Sequence, residues 1–242
     1  MTTEAKPKFS GWWIAVASFI MMATLYSYNN LSGLFLRQMM AELKATQTQV
    51  SLLITISTLA FLVTSPFAGK LFAKFGFRAC MSTGIVLAGL GWMGFGLAPN
   101  LPILYAFGVL AGVGSTLCTV IPVSVMIQNW FKAKNGLVTG IIFAATGVGA
   151  IVFTQVVNLV MSTQGYRMTY MVLGVAAIVL NLPFTLFVFR AHPAEVGQVA
   201  YGAAAENPDA PTVAATGRTL KQALAAPEFW ALLVAIFLWW PP

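Results

Sequence analysis

Charged residues are spaced so widely in this chain that most of it cannot form the surface of a soluble protein. Five uncharged stretches of 28, 25, 53, 32 and 22 residues lie between Lys8 and Arg190. A helix needs about 20 apolar residues to cross a bilayer, so four stretches can hold one span each and the longest can hold two. Only 8% of the residues are charged, whereas a soluble chain carries about a quarter. The spacing therefore predicts an all-α membrane protein with six spans.

The long stretch is divided by a predicted turn. Two prolines and an asparagine lie within residues 98–102, and these residue types favour a tight turn between helices. The six predicted spans then cover about residues 13–34, 50–68, 80–98, 104–126, 137–160 and 169–189.

We expect four regions along the chain. These are a tail over residues 1–12, the six-span bundle over 13–190, a linker over 191–226 and the start of a seventh span over 227–242. The linker is rich in Ala, Pro, Gly and Thr, a composition that predicts a flexible tether. The apolar part of the last region is too short to cross a bilayer, so we expect a truncated chain or a fragment of a longer protein.

Basic residues predict the orientation of the bundle. Of the 13 Lys and Arg residues, only Arg37, Lys44 and Arg167 fall on one side of the predicted membrane. Because Lys and Arg accumulate in cytoplasmic loops, the other side, which holds the N-terminus and the linker, is predicted to be cytoplasmic. The protein is expected in the cell membrane, that is, a plasma or inner membrane. This bias accounts for the net charge of +7 without a nucleic-acid partner.

The sequence carries no pattern typical of catalysis or of a metal centre. Cys80 and Cys118 form no CxxC pair, and His192 is the only histidine. Neither a P-loop nor a GxGxxG motif is present. We therefore expect no enzymatic activity, no metal and no cofactor.

The segment after the second predicted span, GKLFAKFGFR at residues 69–78, resembles a loop of the major facilitator superfamily. That family has the pattern G-x-L-x-D-R-x-G-R-R between its second and third spans. The resemblance implies a gate loop that includes Gly69, Lys74, Gly76 and Arg78. Ala73 stands where the family usually has Asp, which helps to hold the cytoplasmic gate. Here the gate must therefore be held in another way or more weakly.

Three further segments resemble the monocarboxylate and oxalate:formate transporters of this superfamily. They are NWFKAKNGLVTG at residues 129–140, GYR at 165–167 and PEFW at 227–230. The resemblance implies the N-terminal half of a secondary transporter that works by alternating access against a missing C-terminal half. The implied partners are a small organic anion, either a monocarboxylate or a dicarboxylate, a coupled proton or counter-anion, and the lipid bilayer.

Polar residues within the predicted spans are candidates for substrate binding, because they cost free energy in the bilayer unless they are paired or face a wet cavity. Hydroxyl and amide groups can donate to carboxylate oxygens, and an arginine can attract anions. The resemblance implies that spans 1, 2, 4 and 5 line the cavity. The alternative for each residue is an ordinary interhelical or backbone hydrogen bond, or snorkelling for the arginine. The candidates are Tyr28, Asn29, Asn30, Arg37, Thr119, Thr146 and Gln155.

Glycines in the fourth and fifth spans predict close helix packing. They recur with small-xxx-small spacings, which let two helix backbones approach each other. The residues are Gly108, Gly112, Gly114, Gly136, Gly140, Gly147 and Gly149.

Two other functions stay open on the sequence alone. One is a non-transporting membrane protein, either a truncation product or a scaffold. The other is a transporter of this superfamily for another small solute. Six further spans beyond residue 242 would favour a transporter.

Overall fold

The computed structural model describes residues 9–203, 226, 227 and 229–231, apart from the side chain of Asn29. By their contacts the residues form two units, Met1–Ala204 and Ala205–Pro242. In the first unit every regular element described is a helix, and the only β-type pairing there is an isolated bridge between Phe131 and Tyr201. In the second unit the Phe229 N–H donates to the Ala226 carbonyl at 3.1 Å, which begins a helical turn.

The described helices are long and apolar. Four of them have the length and composition to cross a membrane, and the helix Gly11–Tyr26 is apolar but shorter. The prediction of an all-α membrane fold is therefore confirmed. A first helical run contains α1 (Gly11–Met21), a π-helical turn (Met22–Tyr26), α2 (Ser27–Asn30) and α3 (Ser32–Leu43). It is followed by α4 (Gln47–Phe75), α5 (Phe77–Leu97), α6 (Leu101–Cys118), α7 (Val120–Trp130), α8 (Asn135–Pro183), a second π-helical turn (Phe184–Val188) and a 3₁₀ helix (Pro193–Val196).

Helix α8 reverses its direction at Gly165. This glycine has φ 75° and ψ 176°, which is not helical. The part of α8 before Gly165 contacts the first helical run at Thr146, whose carbonyl accepts a hydrogen bond from the Ser27 hydroxyl at 2.8 Å. The part after Gly165 contacts the same run at Asn181, whose Oδ1 lies 3.0 Å from Thr24 Oγ1. A straight helix would separate residues 146 and 181 by about 50 Å. Helix α8 therefore consists of two antiparallel arms, which both pack on the first helical run.

Local sequence sets several helix ends. Thr46 begins α4 with a capping box, in which its hydroxyl accepts from the Gln49 N–H and the Gln49 side chain accepts from the Thr46 N–H. Asn100 begins α6, where its side chain accepts from the Ile103 N–H at 3.1 Å. Helix α5 ends at Leu97, just before this cap. The predicted turn over residues 98–102 is therefore confirmed.

Close packing is confirmed for four of the seven glycines. A Cβ atom added to Gly114 would lie 2.7 Å from the carbonyl oxygen of Gly84, so α5 and α6 touch at their backbones. Gly149 lies against the carbonyl of Ala23 in the same way, and Gly108 and Gly112 pack against α4. Among the described residues no close packing is seen at three glycines on the first arm of α8, because an added Cβ would meet none of their atoms within 4 Å at Gly136, Gly140 or Gly147.

Candidate functional site

The first helical run changes its winding next to the predicted substrate residues. Its π-helical turn covers Met22–Tyr26, immediately before Ser27. Such turns are rare and often occur at functional sites. Thr24, within this turn, is buried and lies beside Asn181, which is also buried and donates to the Ala177 carbonyl at 2.9 Å. The π-helical turn is thus anchored to the second arm of α8 by a polar contact inside an apolar bundle.

Tyr28 and Thr146 lie at the interface between the first helical run and the first arm of α8. The Tyr28 ring packs edge-on against Trp92 at 4.9 Å and against Phe153 at 5.0 Å between centroids. Its hydroxyl is buried without a hydrogen-bond partner in the described part of the chain. The Thr146 hydroxyl donates to the Phe143 carbonyl at 2.8 Å. Both predicted residues therefore face the interior of the bundle.

Asn30 and Arg37 lie on one exposed face of the first helical run. Both are exposed, and their separation of seven residues returns to almost the same side of a helix. Gly33 lies between them and is exposed as well. Arg37 forms no ion pair with any described residue. The side chain of Asn29, also predicted at this site, lies outside the described residues.

The structure does not bring Thr119 and Gln155 to that face. Thr119 is buried at the break between α6 and α7, and its hydroxyl donates to the Ser115 carbonyl at 2.6 Å. Gln155 is exposed on the first arm of α8, nine residues after Thr146. Nine residues are two and a half helical turns, so Gln155 lies on the opposite side of this arm from Thr146. The six candidates whose side chains are described therefore do not lie at one common site.

Sequence reasoning missed a stripe of hydroxyl residues on α4. Ser51, Thr55 and Thr58 recur at spacings of four and three residues, which places them on one side of the helix. Thr55 and Thr58 are exposed, and Ser51 is half-buried. Thr58 donates to the Ile54 carbonyl at 2.9 Å, whereas the Thr55 hydroxyl forms no hydrogen bond with any described residue. An unpaired hydroxyl is costly in hydrocarbon, so this side of α4 favours contact with water or polar groups. The spacing alone could have revealed it.

Arg167 joins three elements at the end of the bundle where α3 and α5 finish. Its Nε atom lies 2.8 Å from Glu42 Oε2, in an ion pair whose side chains are 39% and 47% exposed. Its Nη1 atom donates to the carbonyls of Gly96 and Ala98, at 3.2 Å each. Arg167 is therefore a clamp between helices. Arg37 and Lys44 are the other two basic residues predicted on the same side of the membrane as Arg167, and both are exposed.

The predicted gate loop contains one structural glycine and one anchored arginine. Gly76 has φ 83° and forms the left-handed junction between α4 and α5, a conformation that suits glycine. Arg78 Nε donates to the Phe189 carbonyl at 2.7 Å. Gly69 and Lys74 are exposed on the last turns of α4, and Ala73 beside them is exposed too.

The described beginning of the predicted linker contacts the helical bundle. Residues 191–203 include a 3₁₀ helix, and Tyr201 exchanges backbone hydrogen bonds with the end of α7 and the loop that follows it. The rest of the predicted linker lies outside the described residues, except Ala226. Many of these contacts use backbone groups, which every residue has, so the composition of the segment does not reveal them.

The described residues contain no group of three or more His, Cys, Asp or Glu side chains that could hold a metal ion. Cys80 and Cys118 are buried and unpaired. Cys80 Sγ lies 3.3 Å from the Leu71 carbonyl, a contact that fits a packed thiol.

Several proteins of known sequence are similar to this chain over most of its length. An oxalate:formate antiporter from Oxalobacter formigenes is 24% identical over 93% of this chain and 51% of the relative. The uncharacterized MFS-type transporter YhjX of Escherichia coli is 25% identical over 88% of this chain and 49% of the relative. Human monocarboxylate transporter 14 is 25% identical over 75% of this chain and 36% of the relative. The chain spans about half the length of the curated relatives it matches.

A family model gives the broadest match. The model of the Major Facilitator Superfamily matches residues 14–241, which is nearly the whole chain. The family predicted from residues 69–78 is therefore confirmed, and the described helices fit a multi-pass membrane protein. This chain belongs to the Major Facilitator Superfamily.

Proposed function

We propose that this chain is the N-terminal half of a secondary transporter that moves a small organic anion by alternating access. The observation that carries the proposal is the exposed face of the first helical run, where Asn30 and Arg37 lie together. The names of two relatives, an oxalate:formate antiporter and a monocarboxylate transporter, support a carboxylate as the substrate.

The proposed architecture is a bundle of six spans over residues 13–190 with a cytoplasmic N-terminus, a linker over 191–226 and a seventh span from residue 227. The reversal at Gly165 supports it, because each arm of α8 then counts as a separate span. The second half of the transporter would supply the opposite wall of the cavity, against which this bundle rocks.

The chemistry of the exposed face suits a carboxylate. An arginine guanidinium offers a planar fork of N–H donors that matches two carboxylate oxygens, and an asparagine amide adds a neutral donor. The two residues are about 10 Å apart along the helix. The long arginine side chain can reach towards Asn30, and we propose that a small carboxylate bridges the two groups.

Water is needed around such a site, since an unpaired arginine in hydrocarbon is costly. The exposed hydroxyl residues of α4, Thr55 and Thr58, provide a second polar surface on the same bundle. Gln155 and Asn158 add exposed amides on the first arm of α8. We propose that these surfaces border one aqueous cavity in the complete transporter.

The test is uptake by the full-length protein in proteoliposomes. Radiolabelled formate, acetate, lactate and oxalate are compared with a neutral sugar and with an organic cation of similar size. Saturable uptake confined to the carboxylates is the expected result. Preference for the sugar or the cation would instead indicate a transporter of another solute, and no uptake of any solute by protein shown to be folded would favour a non-transporting protein.

Coupling is measured in the same vesicles. Preloading with an unlabelled carboxylate accelerates uptake if the protein exchanges anions, whereas an inward proton gradient accelerates it if the protein carries a proton. Each result selects one coupled partner.

A further inference from the structure

Residues 189–203, called the strap below, lie across one end of the bundle. They follow the second π-helical turn and contact the start of α5, the end of α7, the loop from α7 to α8 and Ser10 before α1. The strap thus contacts elements distributed along most of the first unit. The transporter function proposed above assigns it no role.

Three successive carbonyls at the beginning of the strap each accept a side-chain hydrogen bond. Phe189 accepts from Arg78 Nε at 2.7 Å and Arg190 from Trp130 Nε1 at 2.9 Å. Ala191 accepts from Asn129 Nδ2 at 3.0 Å. Backbone carbonyls that leave a helix need such partners, and here neighbouring helices supply all three.

The far end of the strap is held by backbone hydrogen bonds. The Tyr201 N–H donates to the Trp130 carbonyl at 2.8 Å. The Tyr201 carbonyl accepts from the N–H groups of Lys132 and Ala133, at 2.9 and 3.0 Å. Its ring packs among aromatic side chains, including Phe9 at 5.9 Å and Phe131 at 6.1 Å.

Trp130 therefore contacts the strap at both ends. Its indole N–H binds the carbonyl of Arg190, and its own carbonyl binds the N–H of Tyr201. The side chain is fully buried. No sequence pattern links Trp130 to Arg190 and Tyr201, which are 60 and 71 positions further along the chain.

We propose that Trp130, together with Asn129, is a positioning residue for transport. By holding the strap, the two side chains make the gate-loop arginine Arg78 and the loop from α7 to α8 move as one body. This inference rests on the proposed transporter function for its effect on uptake, while the coupling itself can be measured without a substrate.

The location of the strap predicts which kinetic constant changes. The strap contacts Ser10, whereas Arg37 lies roughly 40 Å further along the first helical run. Loss of the strap leaves the proposed anion site intact but disturbs the rocking of the bundle. Conformational steps of this kind often limit turnover. We expect a lower Vmax with an unchanged KM.

The experiment compares Trp130→Phe with Trp13→Phe in the full-length protein. The first substitution removes the indole N–H that binds Arg190, while the ring remains aromatic. Trp13 is 71% exposed and serves as the matched control. Hydrogen–deuterium exchange in lipid nanodiscs is followed at Tyr201, at Lys132 and Ala133, and at residues 76–80, which cover the end of the gate loop and the start of α5.

We expect about threefold to tenfold faster exchange at all three places in Trp130→Phe, and no change in the control. Uptake of the best carboxylate should show Vmax reduced about threefold or more with unaltered KM. If Trp130→Phe does not accumulate, Asn129→Leu, which removes the donor to Ala191, is measured in the same way.

Faster exchange confined to residues 129–133 would overturn the proposal, because the strap would then not reach the gate loop. Normal Vmax despite faster exchange at residues 76–80 would overturn it as well. If the wild-type protein moves no anion, the transporter proposal fails, and the exchange pattern alone decides whether Trp130 couples the two loops.

Discussion

Gly149 and Gly147 offer the sharpest test of the packing. They lie two residues apart on the first arm of α8 but on different sides of it. An added Cβ at Gly149 would clash with the carbonyl of Ala23 and with the hydroxyl of Ser27, whereas one at Gly147 would meet nothing within 4 Å. Alanine substitution therefore adds the same methyl group at both positions, once in a tight contact and once in open space.

Three contributions determine how much Gly149→Ala changes the free energy of unfolding. Overpacking a core costs about 1–3 kcal/mol, and alanine in place of glycine returns up to about 1 kcal/mol of helix propensity. Separating the helices also weakens the hydrogen bond from Ser27 to the Thr146 carbonyl, now 2.8 Å, which contributes about 0.6 kcal/mol in membrane bundles. We expect Gly149→Ala to lose about 1–3 kcal/mol and Gly147→Ala to lose nothing.

The assay is thermal unfolding of the full-length protein in detergent, followed by tryptophan fluorescence or by thiol labelling of the buried cysteines. For a unit of this size each kcal/mol lowers Tm by about 2–4 °C. Gly149→Ala should melt about 2–12 °C below the wild type, with Gly147→Ala at or above it. Equal melting temperatures for the two variants would refute the close contact between α8 and the first helical run.

Three further outcomes are expected. Tyr28→Phe removes a buried hydroxyl that has no partner in the described region, so stability should rise by about 1 kcal/mol in thermal unfolding and KM should stay constant; a tenfold higher KM would place Tyr28 at the substrate. Arg167→Gln should cost about 1–2 kcal/mol, mainly through the two carbonyls it binds, while Glu42→Gln costs less than about 1 kcal/mol because the ion pair is exposed; equal losses in the same assay would contradict this division. Asn30→Leu should raise KM for the carboxylate about tenfold at normal protein abundance, and an unchanged KM would exclude Asn30 from the site.

The spacing of charges was enough to predict where the chain is apolar and helical. The turn at residues 98–102 was predictable too, since Asn100 can cap a helix and proline suits its first turn. These features depend on neighbouring residues, which are visible in the sequence.

The side on which each polar residue faces was not predictable from a regular helical period. The π-helical turn Met22–Tyr26 widens the helix and shifts the phase of the residues that follow, including Tyr28 and Asn30. A period of 3.6 residues therefore assigns them to the wrong sides. On the first arm of α8 the period is regular, and it alone could have separated Thr146 from Gln155.

Contacts between distant segments were also beyond the reach of the sequence. Glu42 and Arg167 are 125 positions apart, and each looks like an ordinary loop charge by itself. The strap is held largely through carbonyl groups, which all residues carry, so the composition of the predicted linker shows no sign of these contacts. Only the folded bundle brings these groups together.

The central claim is that the face with Asn30 and Arg37 binds a carboxylate, and Arg37→Gln tests it most directly. Concentration-dependent carboxylate uptake by the full-length protein is compared with that of Lys44→Gln, in which an exposed cation on the same side is removed. We predict that Arg37→Gln raises KM about tenfold or more, that Arg37→Lys is intermediate, and that Lys44→Gln equals the wild type. Unaltered KM in Arg37→Gln, at normal abundance, would contradict the account.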